Sequence, residues 1–293
     1  MAGQNGKTVL VLGSTGNQGG AVAKELLKKG FNVMAITRKP DSEKAKALEA
    51  LGARMVRADL GNVAGASRVL ERVWGVFSVL TMAETGVLWE QEQGIKFAEA
   101  AKNAGVEHFV YSSVASADKK TGIPHFESKW QIEEKIRSLD FPFYTIIRPV
   151  SFMENMLNPR SMAGIEKGVL MMGLRPDAKQ QMIAVEDIGR YGALPFEEPE
   201  KTNRAAIDIA GDEKTAAEYA NILSKITGKQ IKAMPTPIDD MRKTMPDFAK
   251  MIEWIDKVGY SVDINGLTKK YGIKPISFED WAKKVKWPSS VNS

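Results

Sequence analysis

The chain has no cysteine, only two histidines, and no apolar run approaching the ~18 residues of a membrane-spanning helix. The first absence excludes disulfides, thiolate metal sites and a cysteine nucleophile, and it fits a cytoplasmic protein. The second leaves His108 and His125, too few for a histidine-based metal centre, and there is no H-E-x-x-H pattern or carboxylate cluster at metal spacing. There is also no block of like charge. The net charge of +5 is spread over stretches such as KELLKK, SEKAKALEA and EEKIRS, where bases mix with acids as on a solvated helix face. With no helix-turn-helix signature and no aromatic–basic strand pattern, direct nucleic-acid binding is not expected. The start, MAGQNGK, leads into a short apolar strand rather than a signal-peptide core, and the final VNS is no targeting address. No membrane association is expected.

What is present begins at residues 7–19, KTVLVLGSTGNQG. An apolar, β-branched run turns at Gly13, Gly16 and Gly19 into the helical pattern AVAKELLKKG. A strand that turns sharply into a helix aims unpaired N–H groups and a positive dipole end at one spot, where a phosphate can sit. The three glycines serve the tight turn, the close approach of backbone to pyrophosphate, and the close packing of helix on strand. Thr15, Asn17 and Gln18 complete the turn. A second strand follows at 32–37, which is the context a dinucleotide-binding turn requires.

That second strand ends Ile36-Thr37-Arg38-Lys39-Pro40, with no carboxylate before Asp41. A carboxylate there would accept from a ribose 2′-hydroxyl and repel a 2′-phosphate, whereas Arg38 offers a planar fork to the phosphate and Lys39 adds charge. The cofactor expected is NADP(H). The alternative is that Arg38 and Lys39 are solvated loop charges.

Strands are expected at 7–12, 32–37, 53–57, 75–81, 107–112 and 143–148, with helices at 18–29, 42–51, 62–72, 88–104 and 125–138. Strands apolar on both faces, alternating with helices, make a doubly wound parallel sheet of the α/β class, its ligand crevice at the carboxyl ends of the strands. Residues 1–150 form that domain and 151–293 a smaller mixed lobe, with a strand at 204–209 returning to the main sheet and helices at 214–226, 246–259 and 278–285. Ten of the 14 methionines follow residue 150. They either shape a pocket for an irregular apolar ligand or fill a small core.

Successive strand ends outline one site: Asp59 and Leu60 toward adenine, Thr81 and Met82 along ribose and nicotinamide, Ser112 and Ser113, then Pro149, Val150, Ser151 and Phe152. In PHFESKWQIEE, His125 and Lys129 stand one helical turn apart. Lys129 can bind ribose hydroxyls and relay a proton, or it is an exposed helix lysine. His125 can act as acid or base, or pack behind Pro124. His108 opens a strand and reads as structural.

GSTGNQGG, ITRKP, the RADL turn, VYSSV, HFESK with IEE, RPVSFMENM and FEDWAKK together resemble the NmrA-like family of atypical short-chain dehydrogenases, over essentially the whole chain. The resemblance implies a Rossmann fold with a small C-terminal lobe and a bound dinucleotide, usually NADP(H). It also implies one of two functions. Some members reduce quinones, benzylic ethers, enones or imines, and others are redox sensors or transcriptional co-regulators acting through protein partners. The wider superfamily pairs tyrosine and lysine as Y-x-x-x-K; here His125 takes the tyrosine place and Lys129 is kept, while the usual serine falls near Val114, beside Ser113. Hydride transfer to a small apolar or aromatic acceptor stays open, with Lys129, His125 and Ser113 as its residues, as does a redox-neutral variant in which the cofactor borrows and returns a hydride. The sensor is the alternative.

Overall fold

A computed structural model of the chain describes residues 6–58, 69–82, 86–175 and 177–288. The chain divides into two compact units, Met1–Arg148 with Ile188–Asp208, and Pro149–Asp187 with Ile209–Ser293.

The first unit alternates β1 (Thr8–Val11), α1 (Asn17–Lys28), β2 (Asn32–Thr37), α2 (Glu43–Ala50), β3 (Arg54–Arg57), β4 (Gly75–Ser78), α3 (Val87–Asn103), β5 (His108–Ser112), α4 (Pro124–Ser138) and β6 (Phe143–Pro149). The expected strands and helices agree to within a few residues, and the helix expected at 62–72 lies mostly outside the described residues. The second unit contributes β7 (Ser151–Phe152), α5 (Pro159–Glu166), β8 (Val169–Met171) and β9 (Lys179–Ile183). The chain returns through α6 (Val185–Glu197), α7 (Pro199–Thr202) and β10 (Ala205–Ile209). It ends with β11 (Asp212–Thr215), α8 (Ala216–Thr227), β12 (Lys232–Met234), α9 (Ile238–Thr244), α10 (Pro246–Lys257), α11 (Ile264–Tyr271) and α12 (Phe278–Lys284). No described helix is long and apolar enough to cross a membrane.

Strand order in the main sheet is β10-β6-β5-β4-β1-β2-β3, with every pairing from β3 to β6 parallel. The strand expected at 204–209 joins it beside β6. Order reverses between β1 and β4, so their carboxyl ends open a crevice. One face of the sheet packs Leu10, Val76, Phe109, Tyr111 and Ile146 against Phe97, Ala101, Ile132 and Ile136 of α3 and α4. Each fully buried phenylalanine there stabilises the fold by roughly 1.5–3 kcal/mol. On the other face, Gly189 and Gly192 of α6 leave no room for a β-carbon against Ala21, Val22 and Phe77, so α6 sits directly on α1.

His108 is fully buried, as its structural reading requires. Its ring lies 5.4 Å from Trp74, 5.6 Å from Phe143 and 4.9 Å from Phe196, and neither nitrogen has a hydrogen-bond partner among the described residues. Burial, helped by the Lys7 charge, pushes its pKa from 6.5 down to about 3. The unfolded chain therefore takes up a proton below about pH 6.5 that the folded chain refuses. Stability is full above pH 6.5 and falls by a few kcal/mol toward pH 3. Urea unfolding between pH 7 and 4 is expected to show this acid slope, and His108→Phe is expected to flatten it.

The second unit has a core of Met153, Met156, Ile165, Leu170, Met182, Tyr219, Leu223, Phe278 and Trp281. The methionines divide between core and surface. Three sit in that core, whereas Met171, Met234 and Met245 leave 51%, 49% and 40% of their surface uncovered.

Candidate functional site

The glycine turn has the shape its spacing predicts. Gly13 takes φ +60°, a left-handed conformation that favours glycine, and the Gly16 N–H donates to its carbonyl at 2.8 Å. A β-carbon on Gly13 would lie 2.9 Å from Val79, and one on Gly16 would lie 3.1 Å from the Gly13 carbonyl oxygen. A β-carbon on Gly19 would overlap the carbonyl oxygens of both Leu12 and Gly13. α1 begins at Gly16 with no side-chain cap and no acid in its first turn. Its leading N–H groups are thus open to an anion, with Thr15 half-buried and Asn17 exposed beside them. This cradle fits a pyrophosphate.

Ser14, which no sequence motif singles out, fastens the turn by donating to the Ile36 carbonyl at 2.7 Å. Gln18 accepts from Ser112 Oγ at 2.6 Å, tying the start of α1 to the end of β5. Past β2, the Lys39 N–H donates to Thr37 Oγ1 at 3.1 Å, and Arg38 and Lys39 are exposed. Asp59 and Leu60 lie outside the described residues. Thr81 is exposed and Met82 half-buried just past β4. Ser113 is buried, and its hydroxyl has no partner among the described residues.

For Lys129 the alternative reading fails. It is not an exposed helix lysine: its side chain is 13% exposed, and Nζ donates to Glu90 Oε1 at 2.8 Å. Nζ also lies 3.5 Å from the Leu80 carbonyl oxygen, just past β4. Glu90 is fully buried, and its other oxygen accepts from Ser128 Oγ at 2.9 Å. Burying a carboxylate is costly unless it is paired and hydrogen-bonded, and this pair of donors meets that need.

Sequence reasoning misses Glu90, although its position carries a signal. The buried positions of α3 are Glu90, Gln93, Gly94, Phe97, Ala98 and Ala101, so the acid stands on the apolar stripe at helical spacing. One turn later Gly94 lets α4 approach, since a β-carbon there would fall 2.5 Å from Ile132 Cδ1. The close helix pair brings Ser128 and Lys129 onto Glu90.

His125, the second residue of α4, is 8% exposed, with its ring edge-on to Phe126 at 5.0 Å. Its place is the packed helix start behind Pro124, one turn from Lys129. The nearest tyrosine in sequence does not replace the missing one. Tyr111 is fully buried, and burial reinforced by Glu90 and Glu133 raises its phenol well above 10, so it stays protonated.

α4 is anchored at its far end. Arg148 Nε and Nη2 donate to Glu133 at 2.9 and 2.6 Å, and Nη1 lies 3.3 Å from Asp118 and 3.5 Å from Asp208. Burial raises the Asp208 carboxyl, opposed by Arg148. The network joins α4, β6 and β10. Pro149, Val150 and Phe152 belong to the second unit: Pro149 ends β6, Val150 donates to the Ile209 carbonyl at 3.1 Å, and Phe152 pairs with Ile183.

A family model described as NmrA-like family matches residues 5–282. The chain belongs to the NmrA-like family. Among NmrA-like relatives, the oxidoreductase notA of an Aspergillus species (strain MF297-2) is 31% identical over 94% of this chain and 88% of its own. The NADPH-dependent quinone oxidoreductase QOR2 of Escherichia coli, solved with NADPH, superposes at TM-score 0.79. It is 26% identical, over 94% of this chain and 98% of that one. Nmra, a negative transcriptional regulator solved with NAD, superposes at TM-score 0.78 over 97% of this chain and 96% of that one. At 18% identity it shows the NmrA-like fold alone.

Proposed function

We propose that this NmrA-like protein is an NADP(H)-dependent oxidoreductase acting on a small apolar or aromatic acceptor: an activated C=C, a C=N or a quinone. The observation that carries the reading is a lysine held by buried Glu90 at the end of β4, in the same unit as an uncapped glycine turn. When bound, the nicotinamide supplies or accepts the hydride.

The protein's own residues do the rest. Gly13, Thr15, Gly16, Asn17, Gln18 and Gly19 take the pyrophosphate, and Arg38 with Lys39 takes the 2′-phosphate. Thr81 and Met82, just past β4, extend the cofactor contacts within the same unit. Lys129, aimed by Glu90 and Ser128, binds ribose and moves the proton, with His125 or Ser113 as its second group. The net reaction is reduction, or isomerisation when the hydride returns.

Calorimetric titration with NADP⁺, NADPH, NAD⁺ and NADH tests the cofactor assignment. The phosphorylated pair is expected to bind about 10-fold or more tighter, and Arg38→Ala to erase that margin, as loss of a charge-assisted contact worth ~1.5–3 kcal/mol should. Equal binding of NADH and NADPH by the unaltered chain would refute it.

A further inference from the structure

The second unit holds a cavity of about 400 Å³ that the nucleotide reading leaves without a role. One wall is the helix pair α9 and α10. Both helices are short and amphipathic, yet Ala249 is the one residue of the pair that is buried. Met241 of α9, Met245 at the junction of the two helices, and Phe248 and Ile252 one turn apart on α10 all line the cavity. Met245 and Phe248 leave 40% and 39% of their surface uncovered, and Met171 of β8 adds to the same lining. An apolar stripe left in water is unfavourable, and methionines adapt to whatever apolar shape covers them.

The charge in this lining has one sign. Arg160, in the first turn of α5, is the sole charged lining residue, and its guanidinium has no ion pair or hydrogen bond among the described residues. In the same unit, Arg175 and Arg242 each hold a carboxylate. Thr236 adds a hydroxyl to the lining. The volume lies within the range of about 300–1,000 Å³ typical of small-molecule pockets.

We propose that this cavity binds an apolar monocarboxylate, with its hydrocarbon part along the Met241–Ile252 stripe and its carboxylate on Arg160. The arginine fork suits a carboxylate, and no acid in the lining opposes it. The site lies wholly within the second unit and stands whether or not the chain turns over a nicotinamide.

The test is calorimetric titration of the full chain with decanoate and with decanol, which share a tail and differ in charge. Decanoate is expected to bind one site per chain, about 10-fold tighter than decanol, as a charge-assisted pair would give. Arg160→Gln, at an exposed position, is expected to remove that preference while leaving decanol binding unchanged. Met245→Ser is expected to weaken both ligands several-fold. Serine is favoured at a helix N-cap, which Met245 occupies, so the fold is retained, and an unchanged thermal midpoint verifies this. Equal affinity for decanoate and decanol in the unaltered chain would overturn the proposal. So would affinities that neither substitution moves, or a stable dimer in light scattering with no decanoate binding.

Discussion

Lys129→Met is expected to lower turnover by about 10²–10⁴-fold and to destabilise the fold by about 3–5 kcal/mol. The two losses have different origins. Turnover falls because the group that moves the proton is gone. Stability falls because Glu90, fully buried, keeps Ser128 as a donor but loses the ammonium 2.8 Å away. The single variant therefore cannot separate a catalytic lysine from a structural one. The double variant Lys129→Met with Glu90→Leu can. Replacing a whole buried pair by apolar side chains is often neutral or stabilising, and Ser128 Oγ retains the His125 carbonyl at 3.3 Å as an acceptor. Urea unfolding of the double variant is expected near the unaltered chain, with NADPH oxidation still lost. A double variant that folds and turns over at full rate would remove Lys129 from the mechanism.

The second large effect is expected at Gly19. Its missing β-carbon is what lets α1 start directly above two carbonyls of the β1 turn. Gly19→Ala pushes against backbone, which cannot rotate away, so α1 shifts off β1 at a cost of about 1–3 kcal/mol. The shift also moves the N–H groups that would face a pyrophosphate, and NADPH affinity is expected to fall by about 100-fold or more. Gly16→Ala meets a single carbonyl oxygen at 3.1 Å and is expected to cost less on both counts. Titration of the two variants with NADPH, alongside their thermal midpoints, checks the order.

The parallel sheet is legible in the sequence because its strands are apolar on both faces and their spacing leaves room for a helix each time. The strand at 204–209 is legible from alternation instead, with Ile207 and Ile209 buried on either side of the half-buried Asp208. Short elements of the second unit are not. β9 reads Lys-Gln-Gln-Met-Ile and β11 reads Asp-Glu-Lys-Thr, with no alternation long enough to register. α6 is hidden because Gly189 and Gly192 interrupt its apolar pattern, although those glycines are what seat it against α1.

At the site, residue types are readable and pairings are not. His108 reads as structural from its place at a strand start, and the aromatic box around it agrees. Lys129 is marked by its position after His125, but its burial depends on Gly94 bringing two helices together, some 35 residues away in sequence. Glu90 looks like one of three acids in a helix. Only its phase on the apolar stripe distinguishes it.

Hydride transfer from NADPH is the step on which the proposed function rests. The most direct test is the rate of NADPH oxidation by the purified chain against a panel of quinones, enones and imines, with the Lys129→Met and Glu90→Leu double variant beside it. Saturable oxidation is expected with at least one acceptor, faster with NADPH than with NADH, and lost in the folded double variant. Tight, redox-selective nucleotide binding with no oxidation across the whole panel would contradict it and point to a sensor.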